Sequence, residues 1–432
     1  MDSLFILNAS GAALLEKHWC DDRAIRRASL VVVPAFARYL ASVEAAADAE
    51  PMWSGPQGTV CIHIQRQELI YLGIVSREVP PLEVLELLEG VVQALGEYVG
   101  RLSELTIKEN FVTVYQLLSE MVDSGAMVTT DTAVLRGLVP VPNLVNRVLE
   151  NVSGIGIGPE RRPNVNTSAT PWRAQGIRHS TNEFYVDIAE RIDAIIAASG
   201  AVVAYDVNGE ISCKSRLTGM PELVLTLNRP EIMDDVVFHP CVRRRAWDAE
   251  RTIGFVPPDG PFKLASFHVA METSPRSLPL HVRAQASRSG GTHTVEIAVD
   301  PGQCHGRPIE KLGVRVPLPL QAYNIGVQCK TGAHKVTNAR PPQVEWTVKS
   351  VRPGDRGLRL SIQYHMHGEG AAAGGTPPAE QQGVAAAFVD FEIAGYSAAS
   401  IKVDALRLLR ESYKPFKGVR YVTKAGSFQV RF

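Results

Sequence analysis

From Trp172 to Phe432 the chain is written in one repeating pattern: a short run of alternating apolar and polar residues, then a turn. "EFYVDIAERIDAII", "AVVAYDVNG", "ELVLTLNR", "FKLASFHVAM", "LHVRAQAS", "TVEIAVD", "VEWTVKSV", "LRLSIQYHM", "AAAFVDFEIA" and "GVRYVTKAGSFQVRF" all read this way. A period of two sends successive side chains to opposite faces of a strand, and little helical periodicity competes with it. The segment predicts an all-β domain, a sandwich of two packed sheets. "HGEGAAAGGTPPAEQQG" at 367–383 predicts a loop inserted between two strands.

Residues 1–150 follow different rules. "LFILNAS" and "ALLEKHW" predict a hairpin around Gly11, the Ala-rich stretch 24–49 a helix, and "TVCIHIQR" with "LIYLGIVS" a second hairpin. "PPLEVLELLEGVVQALGEYVG" opens on two prolines and predicts a helix with Leu82, Leu85, Val92 and Leu95 near one face. "NFVTVYQLLSEMVDSG" predicts a helix that stops at Gly125, and two short helices follow at 131–139 and 142–149. That order predicts a small α/β domain with an antiparallel sheet. Residues 151–171, rich in Gly, Pro, Asn and Thr, read as a linker to the β domain at 172–432. The whole is an α+β chain of 432 residues, too long for one ordinary core.

Several function classes fall away on composition. Basic and acidic residues balance at 45 each, which argues against wholesale nucleic-acid binding. The N-terminus lacks the charged start of a secretory signal, and no run of 18 apolar residues offers a membrane span. Cys20, Cys61, Cys213, Cys241, Cys304 and Cys329 form no CxxC pair, so reduced cytosolic thiols are expected rather than a zinc ribbon or disulfide framework.

No Walker-type lysine loop, GxSxG elbow or HExxH helix occurs. The alternating glycines of "GIGIGP" have no lead-in strand and run into Pro159. "FHPC" sets Cys241 near His239 without a third group to orient them. In "YHMHGE", His365, His367 and Glu369 could share a strand end as metal ligands, although a polar strand end is the plainer account. No enzyme, metal or cofactor is expected.

"TNEFYVDIAERID" poses the sharper question. On a strand, Phe184, Val186 and Ile188 share the core face, while Tyr185 and Asp187 share the other. Taken alone, such a pair is ordinary solvated surface. The chain also resembles, end to end, the medium (mu) subunit family of the heterotetrameric clathrin-adaptor-type complexes. "LFILNASGAALLEKHW", "REVPPLEVLELL", "ENFVTVYQLLSEMVDSG", "PWRAQGIRHSTNEFYVDI", "LTGMPELVLTLN", "FHPCVR", "FVPPDGPFKLASF" and "YKPFKGVRYVTKAGSFQVRF" carry the likeness. The tail, with "KPFKG" before "VRYVTKAG", resembles the branch of adaptor complex three.

That resemblance implies a longin-like N-terminal domain, a linker and an elongated mu homology domain. It implies that the last domain binds tyrosine-based sorting signals in cytoplasmic tails of membrane cargo. Such a signal is a tyrosine, two free positions and a bulky hydrophobic residue. Tyr185, Asp187, Lys214, Gly418 and Arg420 match the tyrosine pocket of the family, and Val186, Val403, Leu406 and Val419 its hydrophobic pocket. Tyr185 stands where the family has phenylalanine, and Gly418 where most members have a tryptophan beside the cargo ring. The resemblance further implies beta, delta and sigma partner subunits and recruitment by an Arf-family GTPase. Peripheral residence on Golgi or endosomal membranes and traffic towards lysosomes or vacuoles follow from it too. A scaffold subunit with a degenerate pocket is the alternative, and a metal enzyme built on His365 and His367 a third.

Lys402, Arg407, Arg410, Lys414, Lys417, Arg420, Lys424 and Arg431 against Asp404 and Glu411 give residues 402–432 a net charge of +6. Arg243, Arg244 and Arg245 add a second cluster. Either can meet an anionic leaflet or form a solvated strand face.

Overall fold

The computed structural model describes residues 1–19, 23–43, 49–139, 170–270, 278–302, 304–337, 341–366 and 386–432. The helix expected at 142–149, the glycine-rich part of the linker, the 367–383 insertion, His367, Glu369 and Cys20 lie outside them. The chain divides into two compact units, Met1–Ala174 and Gln175–Phe432.

In the first unit, β1 (Ser3–Asn8) and β2 (Ala13–His18) form the first expected hairpin and β4 (Val60–Arg66) and β5 (Leu69–Val75) the second. A short β3 (Met52–Ser54) completes an antiparallel sheet in the order β2-β1-β5-β4-β3. Helix α1 (Arg23–Ser42) packs Val32 and Phe36 on one face, against Phe5, Leu7, Cys61 and Ile70. It ends short of the expected 49, and residues 44–48 are among those not described. Gly11 closes the first hairpin at φ +81°, where a β-carbon would lie 2.6 Å from Ala37 Cβ. On the other face Leu4, Ile6, Ile62 and Tyr71 meet α2 (Pro81–Val99) and α4 (Phe111–Met121). Helices on both faces explain why all of β5, "LIYLGIV", is buried.

Two helix expectations need correction. The buried stripe of α2 is Val84, Leu87, Leu88, Val91, Ala94, Leu95 and Tyr98, whereas Leu82 is 78% exposed. Of the four residues expected on the core face only Leu95 is fully buried, with Leu85 and Val92 half-buried. The helix carries apolar residues on more than one stripe, and packing against the sheet selects between them. Helix α4 stops at Met121, because β6 (Val122–Asp123) turns back onto β7 (Ala126–Met127) through Ser124 and Gly125, both at positive φ. The short helices α3 (Glu104–Glu109) and α5 (Thr132–Leu138) are capped by Ser103 and Asp131 side chains.

Among its described residues the second unit is all-β apart from one short helix, α6 (Arg244–Glu250), and a 3₁₀ turn. Its main sheet has nine strands. In sheet order they are β11 (Asp234–Phe238), β13 (Gly260–Val269), β9 (Val202–Arg216), β8 (Glu183–Ile196), β23 (Phe416–Arg431), β21 (Ala386–Ala394), β16 (Ile309–Pro317), β19 (Gln343–Val351) and β18 (Ala333–Thr337). A three-stranded sheet, β12 (Ile253–Phe255), β10 (Glu222–Leu227) and β22 (Val403–Leu409), contributes Phe255, whose ring lies 6.1 Å from that of Phe184 on β8. A four-stranded sheet holds β14 (Leu280–Ser289), β15 (Thr292–Pro301), β20 (Leu358–Met366) and β17 (Ala322–Cys329). Alternation is strict where it matters: Phe184, Val186, Ile188 and Ile192 of β8 are at most 1% exposed. Each alternating segment quoted from the sequence contributes a strand over its described residues. The short strands β11, β12, β17, β18 and β22 carry weaker patterns.

One pairing departs from the antiparallel rule. β23 runs parallel to β8, with Phe416 opposite Glu183, Gly418 opposite Tyr185 and Arg420 opposite Asp187. Parallel neighbours cannot be joined by a tight turn, so the chain crosses both small sheets before returning.

Candidate functional site at the β8–β23 seam

The register decides what shares the outer face. Across β23, β8 and β9 the rows read Phe416–Glu183–Arg216, Gly418–Tyr185–Lys214 and Arg420–Asp187–Ser212. The five residues matched to a tyrosine pocket therefore fall in two adjacent rows.

At the centre Arg420 forks onto Asp187. Nε donates to Oδ1 at 2.7 Å and Nη2 to Oδ2 at 2.5 Å. Planar guanidinium and carboxylate suit this two-bond geometry, which fixes orientation as well as distance. The Asp187 hydrogen bond also raises the arginine's already high pKa. Asp187 keeps lone pairs outside the fork, so it can still accept a proton donor from a ligand. Lys214 stands across from Tyr185 and is exposed.

Tyr185 leans away from Asp187. Its ring lies 5.7 Å from that of Phe416, inclined by 51°, and its hydroxyl reaches Glu183 Oε2 at 3.4 Å. The ring covers Gly418, where a β-carbon would come within 2.7 Å of Tyr185 Cδ1 and 3.0 Å of Cε1.

Of the hydrophobic set, Val419 of β23 and Val186 of β8 lie on the opposite face of these two strands, and Val403 and Leu406 belong to β22. Val419 is opposite Val186, so both have the inner parity, and Val186 is fully buried while Val419 is 37% exposed. β22 approaches that side. Lys417 Nζ donates to the Leu406 carbonyl at 2.5 Å, and the Val403 N–H donates to the Tyr421 hydroxyl at 2.9 Å. Lys417 and Tyr421 bracket Val419, so Val419 is held toward Val403 and Leu406, with Val186 behind it. Val186 belongs to the inner face of β8 and is not on the surface that carries Tyr185.

Between the two faces runs an edge. The ladder of β23 to β8 begins at Phe416, but the ladder to β21 begins only at Val422. Around Lys417 and Val419, one side of β23 is outside any ladder among the described residues.

Glu190 holds this arrangement from behind. It is 1% exposed on the inner face of β8 and accepts hydrogen bonds from Ser397 Oγ (2.8 Å), Ala399 N (3.4 Å), Thr423 Oγ1 (3.3 Å) and Ala398 N. Those bonds anchor the segment that launches β22. Burial pushes its carboxyl pKa up, partly offset by the same bonds.

Two residues here escaped the sequence reading, Phe416 and Glu190, and Lys417 was read only as part of the basic cluster. Phe416 shares parity with Gly418 and Arg420, and Glu190 is an acid at a core position of an alternating strand; both signals were legible. The basic clusters are less bare than a count suggests. Arg243 donates to Glu222 and Arg410 pairs with the same carboxylate at 3.1 Å, Arg420 is taken by Asp187, and Lys424 lies 4.0 Å from Glu392. His365 Nδ1 lies 3.2 Å from the Gly291 carbonyl, and its proposed co-ligands are not among the described residues.

Comparison with known proteins bears on this geometry. Residues 170–432 match the adaptor complexes medium subunit family, and residues 1–141 match the clathrin adaptor complex small chain. AP-3 complex subunit mu-2 of Rattus norvegicus is 34% identical over 435 residues, 99% of each chain. AP-3 complex subunit mu-1 of Homo sapiens is 35% identical over 437 residues, again 99% of each. A chain from a homology model of the full-length AP-3 complex in an intermediate open conformation shares the fold. Its TM-score is 0.57 over 100% of this chain and 99% of that one, at 17% identity.

Proposed function

Because the chain belongs to the adaptor complexes medium subunit family, as a subunit of the AP-3 mu type, we propose that it captures tyrosine-based sorting signals at the β8–β23 seam. The observation that carries this reading is the division of the seam into two faces. An extended peptide added along the open side of β23 sends residues an odd number apart to opposite faces. A tyrosine and a bulky residue three positions later are such a pair. The first reaches Asp187, Arg420 and Lys214 on the outer face, and the second reaches Val419, Val403 and Leu406 on the inner one.

The chemistry agrees with that assignment. A phenol both donates and accepts, so Asp187 takes its proton while Arg420 or Lys214 donates to its oxygen. Main-chain bonds along β23 supply affinity without sequence preference, and the two pockets supply the choice. An interface this small corresponds to an affinity near micromolar, about −8 kcal/mol. Such binding suits a membrane surface where several contacts act together.

The rest of the family picture enters here as part of the same reading. Leu82, Leu105, Phe111 and Val112 of the first unit are each more than half exposed, and they offer apolar surface to beta, delta and sigma partner subunits. Recruitment by an Arf-family GTPase, residence on Golgi or endosomal membranes and delivery towards lysosomes or vacuoles belong to the proposal too. Among the described residues no helix is long and apolar enough to cross a membrane. Calorimetric titration of the full chain with a Tyr-x-x-Leu peptide tests the core of it. Saturable binding that Asp187→Ala removes supports capture. A folded chain that binds no such peptide favours the scaffold alternative.

A further inference from the structure

We propose that Glu190 is a positioning residue for selectivity at the bulky position of the signal. From the core of the main sheet it fixes the corner 396–402, and through that corner the spacing of β22 from β23. The proposal rests on the peptide-capture reading and adds to it what sets the size of side chain accepted beside Val403 and Leu406.

β22 and β23 belong to different sheets. The ladder of β22 to β10 holds it within the three-stranded sheet, but leaves open how far that sheet stands from β23. Two bonds that cross the gap involve side chains at its rim, Lys417 to the Leu406 carbonyl and the Val403 N–H to the Tyr421 hydroxyl. A further set is buried, and it lies at the corner between β21 and β22.

Each half of that corner is gripped from a different sheet. On the main-sheet side Glu190 accepts from the Ser397 hydroxyl and from the N–H groups of Ala398 and Ala399. Thr423, its partner across the β8–β23 ladder, has its hydroxyl 2.9 Å from the Tyr396 carbonyl. On the small-sheet side Asn228, just past β10, donates Nδ2 to the Ser400 carbonyl at 2.9 Å. Its Oδ1 accepts from the Lys402 N–H at 2.7 Å. Between the two grips Ser400 stands at φ +59°, and Tyr396, Ala398, Ala399 and Ile401 are at most 3% exposed.

Backbone N–H groups buried this deeply need acceptors, and losing one costs more than the bond itself contributes. The corner therefore sits where the carboxylate holds it. Among the described residues, every hydrogen bond to Glu190 comes from this corner or from Thr423 of β23. A buried acid whose bonds all run to the junction of two sheets sets their separation there, and a preset separation is what makes a pocket selective.

The outer face does not depend on the corner, because the β23–β8–β9 ladders align Arg420, Asp187 and Lys214. Weakening the corner separates the two halves of recognition. Glu190→Gln keeps one oxygen for the amides and puts a donor in place of the other, so β22 gains slack. Preference for Leu over Ala at the bulky position then falls about two- to tenfold. Preference for Tyr over Phe at the first position stays as in wild type.

The test is titration of the full chain, as wild type, Glu190→Gln and Thr423→Val, with Tyr-x-x-Leu, Tyr-x-x-Ala and Phe-x-x-Leu peptides. The expected result is a reduced Leu:Ala ratio with an unchanged Tyr:Phe ratio in both variants, and Thr423→Val serves alone if Glu190→Gln does not fold. An unchanged Leu:Ala ratio, or two ratios that fall together, overturns the proposal while leaving capture intact. Hydrogen exchange needs no peptide. In either variant, amides of 396–409 should exchange faster while those of β8 and β9 keep wild-type protection. Faster exchange throughout the unit, or none, overturns the proposal even if no peptide binds.

Discussion

Arg420 and Asp187 lie side by side on parallel strands and are joined by two hydrogen bonds, although 233 residues separate them in the chain. Both are solvent-accessible, with 79% and 37% of their side chains exposed. Exposed ion pairs contribute little to folding, so the purpose of this one is best sought in what it can bind.

Asp187→Asn and Arg420→Gln are expected to leave Tm nearly unchanged. Each should weaken binding of a Tyr-x-x-Leu peptide by roughly tenfold or more, because one exchanges a charged acceptor for a neutral amide and the other loses a charged donor. Calorimetry and thermal melts on the same preparations check both halves. A large fall in Tm with intact binding would show the pair to be structural.

Peptide chemistry gives a complementary expectation. Replacing the signal tyrosine by phenylalanine leaves the pocket's polar groups without their partner and costs about 1–3 kcal/mol. Phosphotyrosine brings negative charge towards Asp187 and should bind more weakly still. Competition among the three peptides, ranked tyrosine, phenylalanine, phosphotyrosine, checks the order.

Glu190 predicts a pH dependence. Its folded-state pKa is raised by burial, so the folded chain holds this proton more tightly than the unfolded one. The associated stability is fully present below the unfolded value of about 4.3 and is lost as pH rises towards the folded pKa. Glu190→Gln keeps an acceptor for Ala398 and Ala399 and cannot ionise, so it should flatten that slope. Denaturant midpoints of the two proteins across the acidic range measure it.

The first unit offers a test of helix phase. Leu88→Ala, at a fully buried position of α2, is expected to cost about 2–5 kcal/mol. Leu82→Ala, on the exposed side, should stay within about 0.5 kcal/mol. Chemical denaturation distinguishes them, and Leu82→Glu should reduce co-purification with partner subunits without lowering the melting temperature.

The split between what the sequence disclosed and what it withheld has a physical cause. Strands with one buried face advertise themselves, which is why "FYVDI" already separated Tyr185 and Asp187 from Phe184 and Val186. Helix α2 is apolar on several sides, and only the sheet beneath it decides that Val84 and Leu88, rather than Leu82, turn inward. Tyr185, Asp187 and Arg420 were singled out by resemblance, since no local pattern announces a contact made across parallel strands. The setting of Gly418 was hidden for another reason: only three-dimensional placement shows the Tyr185 ring lying against it. Phe416 and Glu190 were readable by parity and were passed over.

The parallel union of β8 and β23 also sets a clock on biosynthesis. With translation running at about 5–20 residues per second, the 233 positions between the two halves of the fork take roughly 10–50 s to emerge. Throughout that interval β8 has no neighbour on its β23 side, in the middle of what will become the largest sheet. A nascent polypeptide in this condition exposes an adhesive seam to the cytosol, and shielding by chaperones matters most just before the final strand arrives.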